Sequence, residues 1–241
     1  MSFVLSLSFV VGCLPPPGHH DTKGLRHLTP LDENALYQDL QARHPDHLNL
    51  ALPYRGIIQS GRVSNLVRVV WMTESSPIGE GIIGTYDRFS RLRDVRLTRP
   101  IKYIRRIALN EEIDVLVIRE VSATGTGLYE ETMSILDVRN LSAPLWSGKV
   151  ESWVEGVDRR NEGQLLRRVV AMVDFDYDGM KELLVVKLKQ PATNLETIVS
   201  RKPQVQATVY SFDVEKHKFR RQKEVTPLVL YPVASDEEET F

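Results

Sequence analysis

Four carboxylates are spaced around one glycine in Asp174-Phe175-Asp176-Tyr177-Asp178-Gly179-Met180-Lys181-Glu182, and the run leads directly into Leu183-Leu184-Val185-Val186. Alternate side chains of a tightly curled loop can converge on one hard cation, and Ca²⁺ takes about six to eight oxygens at roughly 2.3–2.6 Å. Glycine adopts positive φ at no steric cost, so Gly179 suits the sharp turn such a loop needs. We expect the side chains of Asp174, Asp176, Asp178 and Glu182, with the main-chain carbonyl of Met180 and water, to bind Ca²⁺. An all-oxygen ligand set disfavours zinc and copper. The other reading is a solvated acidic turn without an ion, because Asp and Gly are turn residues for reasons unrelated to metals.

The flanks decide which kind of calcium loop this could be. An EF-hand carries a bidentate Glu at loop position 12 between two helices, and that position here is Val185. Leu165-Leu166-Arg167-Arg168-Val169-Val170-Ala171-Met172-Val173 before the loop and the aliphatic run after it read as strands,. The pattern D-x-D-x-D-G-x-x-[DE]-L between strands resembles the FG-GAP/VCBS repeat of integrin alpha N-terminal-like proteins. That resemblance implies a calcium loop in a β-hairpin of a propeller blade. Tyr177, where the family has a small residue, and Glu182, where it more often has Asp, depart from the pattern.

The elements that must carry this loop recur along the chain. Leu66-Val67-Arg68-Val69-Val70-Trp71, Ile113-Asp114-Val115-Leu116-Val117-Ile118 and Glu182-Leu183-Leu184-Val185-Val186 are apolar runs of strand length,. Each is followed by a strand ending in an aspartate, at Asp87, Asp137 and Asp213, 50 and then 76 residues apart. Such periods point to blades or arrays whose sheets bury one another's faces. The expected fold is mainly β, a propeller-like or partial-propeller array of antiparallel sheets with one N-terminal helix. Propellers close with about four to eight blades, so three units leave three possibilities. A further blade forms from residues 50–62 with 225–233, the array stays open, or the likeness is to one hairpin of a β-sandwich.

In the second unit, Leu109-Asn110-Glu111-Glu112-Ile113-Asp114 stands where the acidic loop would be and reads as a shortened copy. Glu111, Glu112 and Asp114 are expected as turn and strand residues. Residues 120–131 and 190–204 look like long connections, where binding surfaces or plain flexible loops occur.

The one helix expected spans residues 29 to about 43. Thr29 caps it, Pro30 opens it, acids fill the first turn, and Leu31, Leu36 and Leu40 form its apolar stripe,.

The amino terminus suggests an address. Residues 3–11 are apolar, too short to span a bilayer but long enough for a signal peptide core,. Val10-Val11-Gly12-Cys13 resembles a bacterial lipobox, which implies cleavage before a lipidated Cys13 and a protein anchored in the cell envelope, at the outer membrane or in the periplasm. No Lys or Arg precedes the apolar run, contrary to the usual signal,. Cys13 is the single cysteine, so no internal disulfide can form,. The expected division is a signal peptide at 1–12, a lipid-anchored tether at 13–28, helix and connector at 29–62, a β-repeat domain at 63–233 and an acidic tail at 234–241.

With 31 basic and 32 acidic residues, the formal charge of -1 gives no global reason to expect a nucleic-acid partner,. Clusters such as Arg88-Phe89-Ser90-Arg91-Leu92-Arg93 read as solvated strand faces and hairpin rims. No nucleophile elbow, phosphate loop, zinc-protease motif or Cys-x-x-Cys is present,. The expected function is a calcium-stabilised extracytoplasmic binding or structural module that contacts a partner protein or a glycan. The alternative is a calcium-dependent enzyme acting on polysaccharide or cell wall. It would be marked by two carboxylates in a cleft beside Trp146 or Trp153, with Asp158 and Glu162 as nearby candidates.

Overall fold

The run Val115-Leu116-Val117-Ile118 has no polar position because its strand is buried on both faces. A computed structural model describes residues 33–42, 54–61, 66–155, 163–192 and 204–225. In it Val115 and Val117 belong to one core cluster and Leu116 and Ile118 to another, as the alternation of strand side chains requires.

One helix and twelve strands make up the regular structure of the described residues. Helix α1 (Glu33–Ala42) comes first. Strands β1 (Tyr54–Ser60), β2 (Val67–Thr73), β3 (Gly81–Tyr86) and β4 (Leu92–Thr98) form a four-stranded antiparallel sheet in chain order. The remaining eight form the second sheet, also in chain order and antiparallel. They are β5 (Ile101–Ala108), β6 (Asp114–Gly125), β7 (Leu128–Asp137), β8 (Asn140–Val154), β9 (Gly163–Val173), β10 (Glu182–Ala192), β11 (Gln204–Asp213) and β12 (Lys218–Val225). The fold is therefore mainly β, and no closed barrel or propeller is formed by the described residues.

The small sheet covers one face of the large one. Val69 and Ile83 meet Leu116, Ile118, Leu136 and Leu141 in a shared core. Polar contacts fix the packing at several points: the Leu141 amide donates to Asp94 Oδ2 at 2.7 Å, the Ile101 amide to Thr73 Oγ1 at 2.9 Å, and Ser60 Oγ to Asp114 Oδ2 at 2.6 Å. On the other face, Val115, Val117 and Ile135 share a cluster with Leu183 and Val185 of β10, Phe212 of β11 and Phe219 of β12. Strands far apart in the sheet order thus enclose one core, so the large sheet curls strongly. The weak point of that curl is the β8–β9 ladder, which runs only from Glu151↔Arg167 to Val154↔Gln164. Three register shifts in β8 against β7 supply part of the bending,.

Helix α1 packs by Leu36, Tyr37 and Leu40. Leu40 reaches Gly84, where an added Cβ would lie 2.7 Å from its Cδ1, and Tyr86 Oη donates to Asp39 Oδ2 at 3.1 Å. Full burial of Leu40 contributes about 2 kcal/mol,. Thr29 and Leu31 of the expected helix fall outside the described residues.

Aspartates recur at the ends of the third, seventh and eleventh strands for a visible reason. Asp87 Oδ1 accepts the amides of Phe89 and Arg91, Asp137 Oδ1 that of Arg139, and Asp213 Oδ1 that of Lys216. Each carboxylate closes the turn to the next strand, Asp87 and Asp137 through the amide two residues on, as in an Asx turn, and Asp213 through the amide three residues on,. Two expectations change. Strand structure begins at Tyr54, ahead of the boundary placed at residue 63. Residues 120–131 are not a loop: β6 and β7 pair through Gly125↔Leu128, leaving a two-residue turn at Thr126-Gly127 with Gly127 at φ 75°.

Candidate metal centre

The acidic loop connects β9 to β10, whose ladder begins at Val173↔Glu182. Two residues take the left-handed conformation, Gly179 at φ 87° and Tyr177 at φ 61°. Glycine does so freely, whereas a left-handed tyrosine costs roughly 1–2 kcal/mol. Tyr177 is 90% exposed and gains no packing in return. The loop is cinched by its own carboxylates. Asp174 Oδ2 accepts the Gly179 amide at 3.1 Å, Asp176 Oδ1 that of Asp178 at 3.3 Å, Asp178 Oδ1 that of Met180 at 2.7 Å, and Glu182 Oε2 that of Phe175 at 2.8 Å.

This wrapping brings one oxygen each of Asp174, Asp176 and Glu182 within 4.8 Å of one another. Glu182 is only 7% exposed, and Asp174 Oδ1 is buried with no hydrogen-bond donor. A buried carboxylate oxygen without a donor is unfavourable, and a cation among the three oxygens would supply what it lacks. Asp178 stands outside the group, engaged with the Met180 amide. Met180 packs its side chain against the core. The one lysine of the loop does not neutralise it: Lys181 Nζ donates to the carbonyl of Ala108 at 2.8 Å, and its amide to that of Leu109 at 3.1 Å. Lys181 thereby straps the acidic loop to the β5–β6 turn. That turn is closed by a neutral side chain, since Asn110 Oδ1 accepts the amides of Glu112 and Ile113.

A second gathering of carboxylates lies within the sheet. Glu131, 1% exposed, is bonded by Lys102, Arg119 and Tyr129. Arg119 Nη2 reaches on to Glu151 Oε2 at 2.7 Å, and Arg167 Nε meets Glu151 Oε1 at 3.0 Å. Burial alone would raise the Glu131 carboxyl, but Lys102, Tyr129 and Arg119 outweigh it and hold the group below the ordinary glutamate range. Burial together with the Glu131 charge raises the Tyr129 phenol. Glu120 is the opposite case: burial pushes its carboxyl up despite the Arg99 amide at 3.0 Å. The chain order of Lys102, Arg119, Glu131, Glu151 and Arg167 carries no local motif, so sequence reasoning missed the network.

Glu131 and Glu151 pair directly across β7 and β8, next to the Tyr129↔Trp153 pair. Glu131 is ionised and clamped by cations, which leaves it no proton to donate as an acid. Asp158, Glu162 and Cys13 lie outside the described residues. The basic cluster at residues 88–93 is consumed locally: Arg88 and Arg91 lie over the Phe89 ring at 4.5 and 5.7 Å, and Arg93 pairs with Asp87 at 2.6 Å.

No family model, curated protein or solved structure matches the chain. Among the described residues no helix is long and apolar enough to cross a membrane.

Proposed function

We propose that this protein is a calcium-stabilised binding or structural module, with one Ca²⁺ held between β9 and β10. Two observations carry the reading: one oxygen each of Asp174, Asp176 and Glu182 lie within 4.8 Å of one another, and Asp174 Oδ1 is buried with no donor. The donor set is all carboxylate oxygen, suited to a hard cation. Asp174, Asp176 and Glu182 form the core of the site, with carbonyls and water completing the shell. Asp178 shapes the loop by holding the Met180 amide.

The partial-propeller reading of the FG-GAP/VCBS kind is supported by the order of the strands. Twelve strands follow one another as meanders, and Asp87, Asp137 and Asp213 occupy equivalent turns. In this reading β1–β4, β5–β8 and β9–β12 are three blades, the last two still joined by the short β8–β9 ladder. The address that goes with it is the cell envelope, through a lipid on Cys13, where millimolar calcium would fill a weak site.

The enzyme reading needs two carboxylates able to exchange protons in one cleft, and the Glu131–Glu151 pair is held instead by Lys102, Arg119 and Arg167. Thermal unfolding with millimolar calcium and with chelator tests the calcium reading. Calcium sites of extracellular modules have dissociation constants of about 10⁻⁴–10⁻³ M, so the stabilisation expected at about 1 mM calcium is about 0.4–1.4 kcal/mol, about one to a few degrees for a chain of this size. An unchanged melting temperature would overturn it.

A further inference from the structure

Beyond the Glu151↔Arg167 pair the β8–β9 ladder ends and the two strands part. A cleft of about 340 Å³ opens there, between β8 and the inner face of β9 to β12. Val185 and Thr208, paired across β10 and β11, contribute to its lining. Its charged lining residues are Arg168, Lys187 and Arg221, with no carboxylate among them.

The placement of Arg168 against Lys187 is costly in the protein alone,. Arg168 and Lys187 stand directly opposite each other in the β9–β10 register, and like charges so placed destabilise a sheet. Lys187 in turn faces Gln206 on β11. Arg168 uses one guanidinium nitrogen on the carbonyl of Lys149 at 2.7 Å, bridging the gap between the parted strands. That contact fixes the fork, and an arginine has about five N–H donors in all. At one end Trp146 and Tyr210 meet edge to face, 6.4 Å apart at 73°. Gly148 permits this, since a Cβ there would come within 2.9 Å of the Trp146 ring.

We propose that the cleft binds an acidic sugar residue of a uronate-containing glycan. The Arg168–Lys187 pair takes the carboxylate, Gln206 and Thr208 the hydroxyls, and the Trp146–Tyr210 wall an apolar ring face. The volume matches the small end of ligand sites, about 300–1,000 Å³, and is larger than a bare phosphate or sulfate needs. A polar, cationic lining excludes an apolar ligand. Nucleic acid would need an extended basic track, and here the cations are confined to one cleft in a chain of net charge -1. The proposal rests on the reading of the protein as a binding module and names its ligand, but it uses none of the calcium-loop residues.

The test is calorimetric titration of the full chain with trigalacturonate, with a neutral galactose oligosaccharide of the same length and with inorganic sulfate, each in calcium and in chelator. Trigalacturonate is expected to bind about tenfold or more tighter than either control, and Lys187→Gln or R168Q to weaken it by about tenfold. Lys187→Gln, which relieves the like-charge pair and leaves the Arg168–Lys149 bond in place, should not lower the melting temperature in calcium,. Equal binding of the neutral sugar, equal binding of sulfate, no binding, or binding unaffected by both substitutions would each overturn the proposal. The last outcome would place the uronate elsewhere, on a bound calcium ion only if that binding is lost in chelator. If the calcium-dependent melting shift is absent while trigalacturonate still binds through Lys187, only the calcium reading falls.

Discussion

Two gatherings of carboxylates among the described residues are held in opposite ways. In the sheet, Glu131 and Glu151 are interleaved with Lys102, Arg119 and Arg167, so the charge is balanced by side chains from neighbouring strands. In the β9–β10 loop, Asp174, Asp176 and Glu182 converge with backbone amides as their donors, while the adjacent Lys181 is turned away to Ala108. At about 4.8 Å in a water-like medium each carboxylate pair repels by about 1 kcal/mol. The sheet carries its own counter-ions, whereas in the proposed reading the loop takes one from solution. A stability measurement that varies calcium should therefore separate the two regions.

The largest expected effect is in the sheet. Glu131→Ala leaves Lys102 and Arg119, which are partly exposed, and the Tyr129 hydroxyl without their shared partner, and losing these bonds to a charged group costs about 3 kcal/mol. Urea unfolding should show this loss equally in calcium and in chelator. A loss confined to calcium solutions would mean that the two regions are one coupled system. Next is the loop. Asp174→Asn retains an oxygen for the Gly179 amide but removes a ligand charge, so the calcium-dependent melting shift should disappear. In chelator the same variant should be more stable than the parent by up to about 2 kcal/mol, because two repulsive pairs of about 1 kcal/mol each are relieved. A variant less stable than the parent in chelator would show that the loop carboxylates do not repel as described.

The smallest effect is the acid response. Glu131 has a lowered folded pKa, so its stabilisation is fully present above the ordinary value of 4.5 and is lost as pH falls through the lowered folded value,. Glu120, raised by burial, works in the other sense: its ionisation weakens the fold as pH rises from the ordinary value through the raised one,. Unfolding followed between about pH 3 and 7 should lose its acid-side slope in part in Glu131→Gln. A slope unchanged by that substitution would assign the acid response to other groups.

Local features of the fold were legible. The β9 and β10 runs, the loop between them and the Leu36 and Leu40 face of the helix follow from residue types within a few positions of one another. The aspartates at strand ends were visible as a recurrence, and their role in closing turns is equally local. Residues 120–131 were misread as a connection because Glu120, Glu130 and Glu131 make the segment polar. In the folded chain those glutamates have partners: Glu131 with Arg119 and Lys102, Glu130 with Lys149 and Ser122, Glu120 with the Arg99 amide. Strand polarity of this kind resembles a loop until the neighbouring strands are known. Asp178 was expected to bind the ion beside Asp174 and Asp176. The structure groups Asp174, Asp176 and Glu182 and has Asp178 Oδ1 on the Met180 amide at 2.7 Å, a placement that residue spacing does not resolve.

What the sequence by itself determined is local: where strands run, which loop collects carboxylates and which residues turn the chain, since glycine, aspartate and β-branched residues act over two to four neighbours. The tertiary structure decided which charges are balanced. Curling of the large sheet brings Lys102, Arg119 and Arg167 to Glu131 and Glu151, leaves Asp174 Oδ1 buried with no donor, and parts β8 from β9 to open a cationic cleft. These outcomes depend on groups tens of residues apart being carried to one place, and only the packed sheet sets those distances.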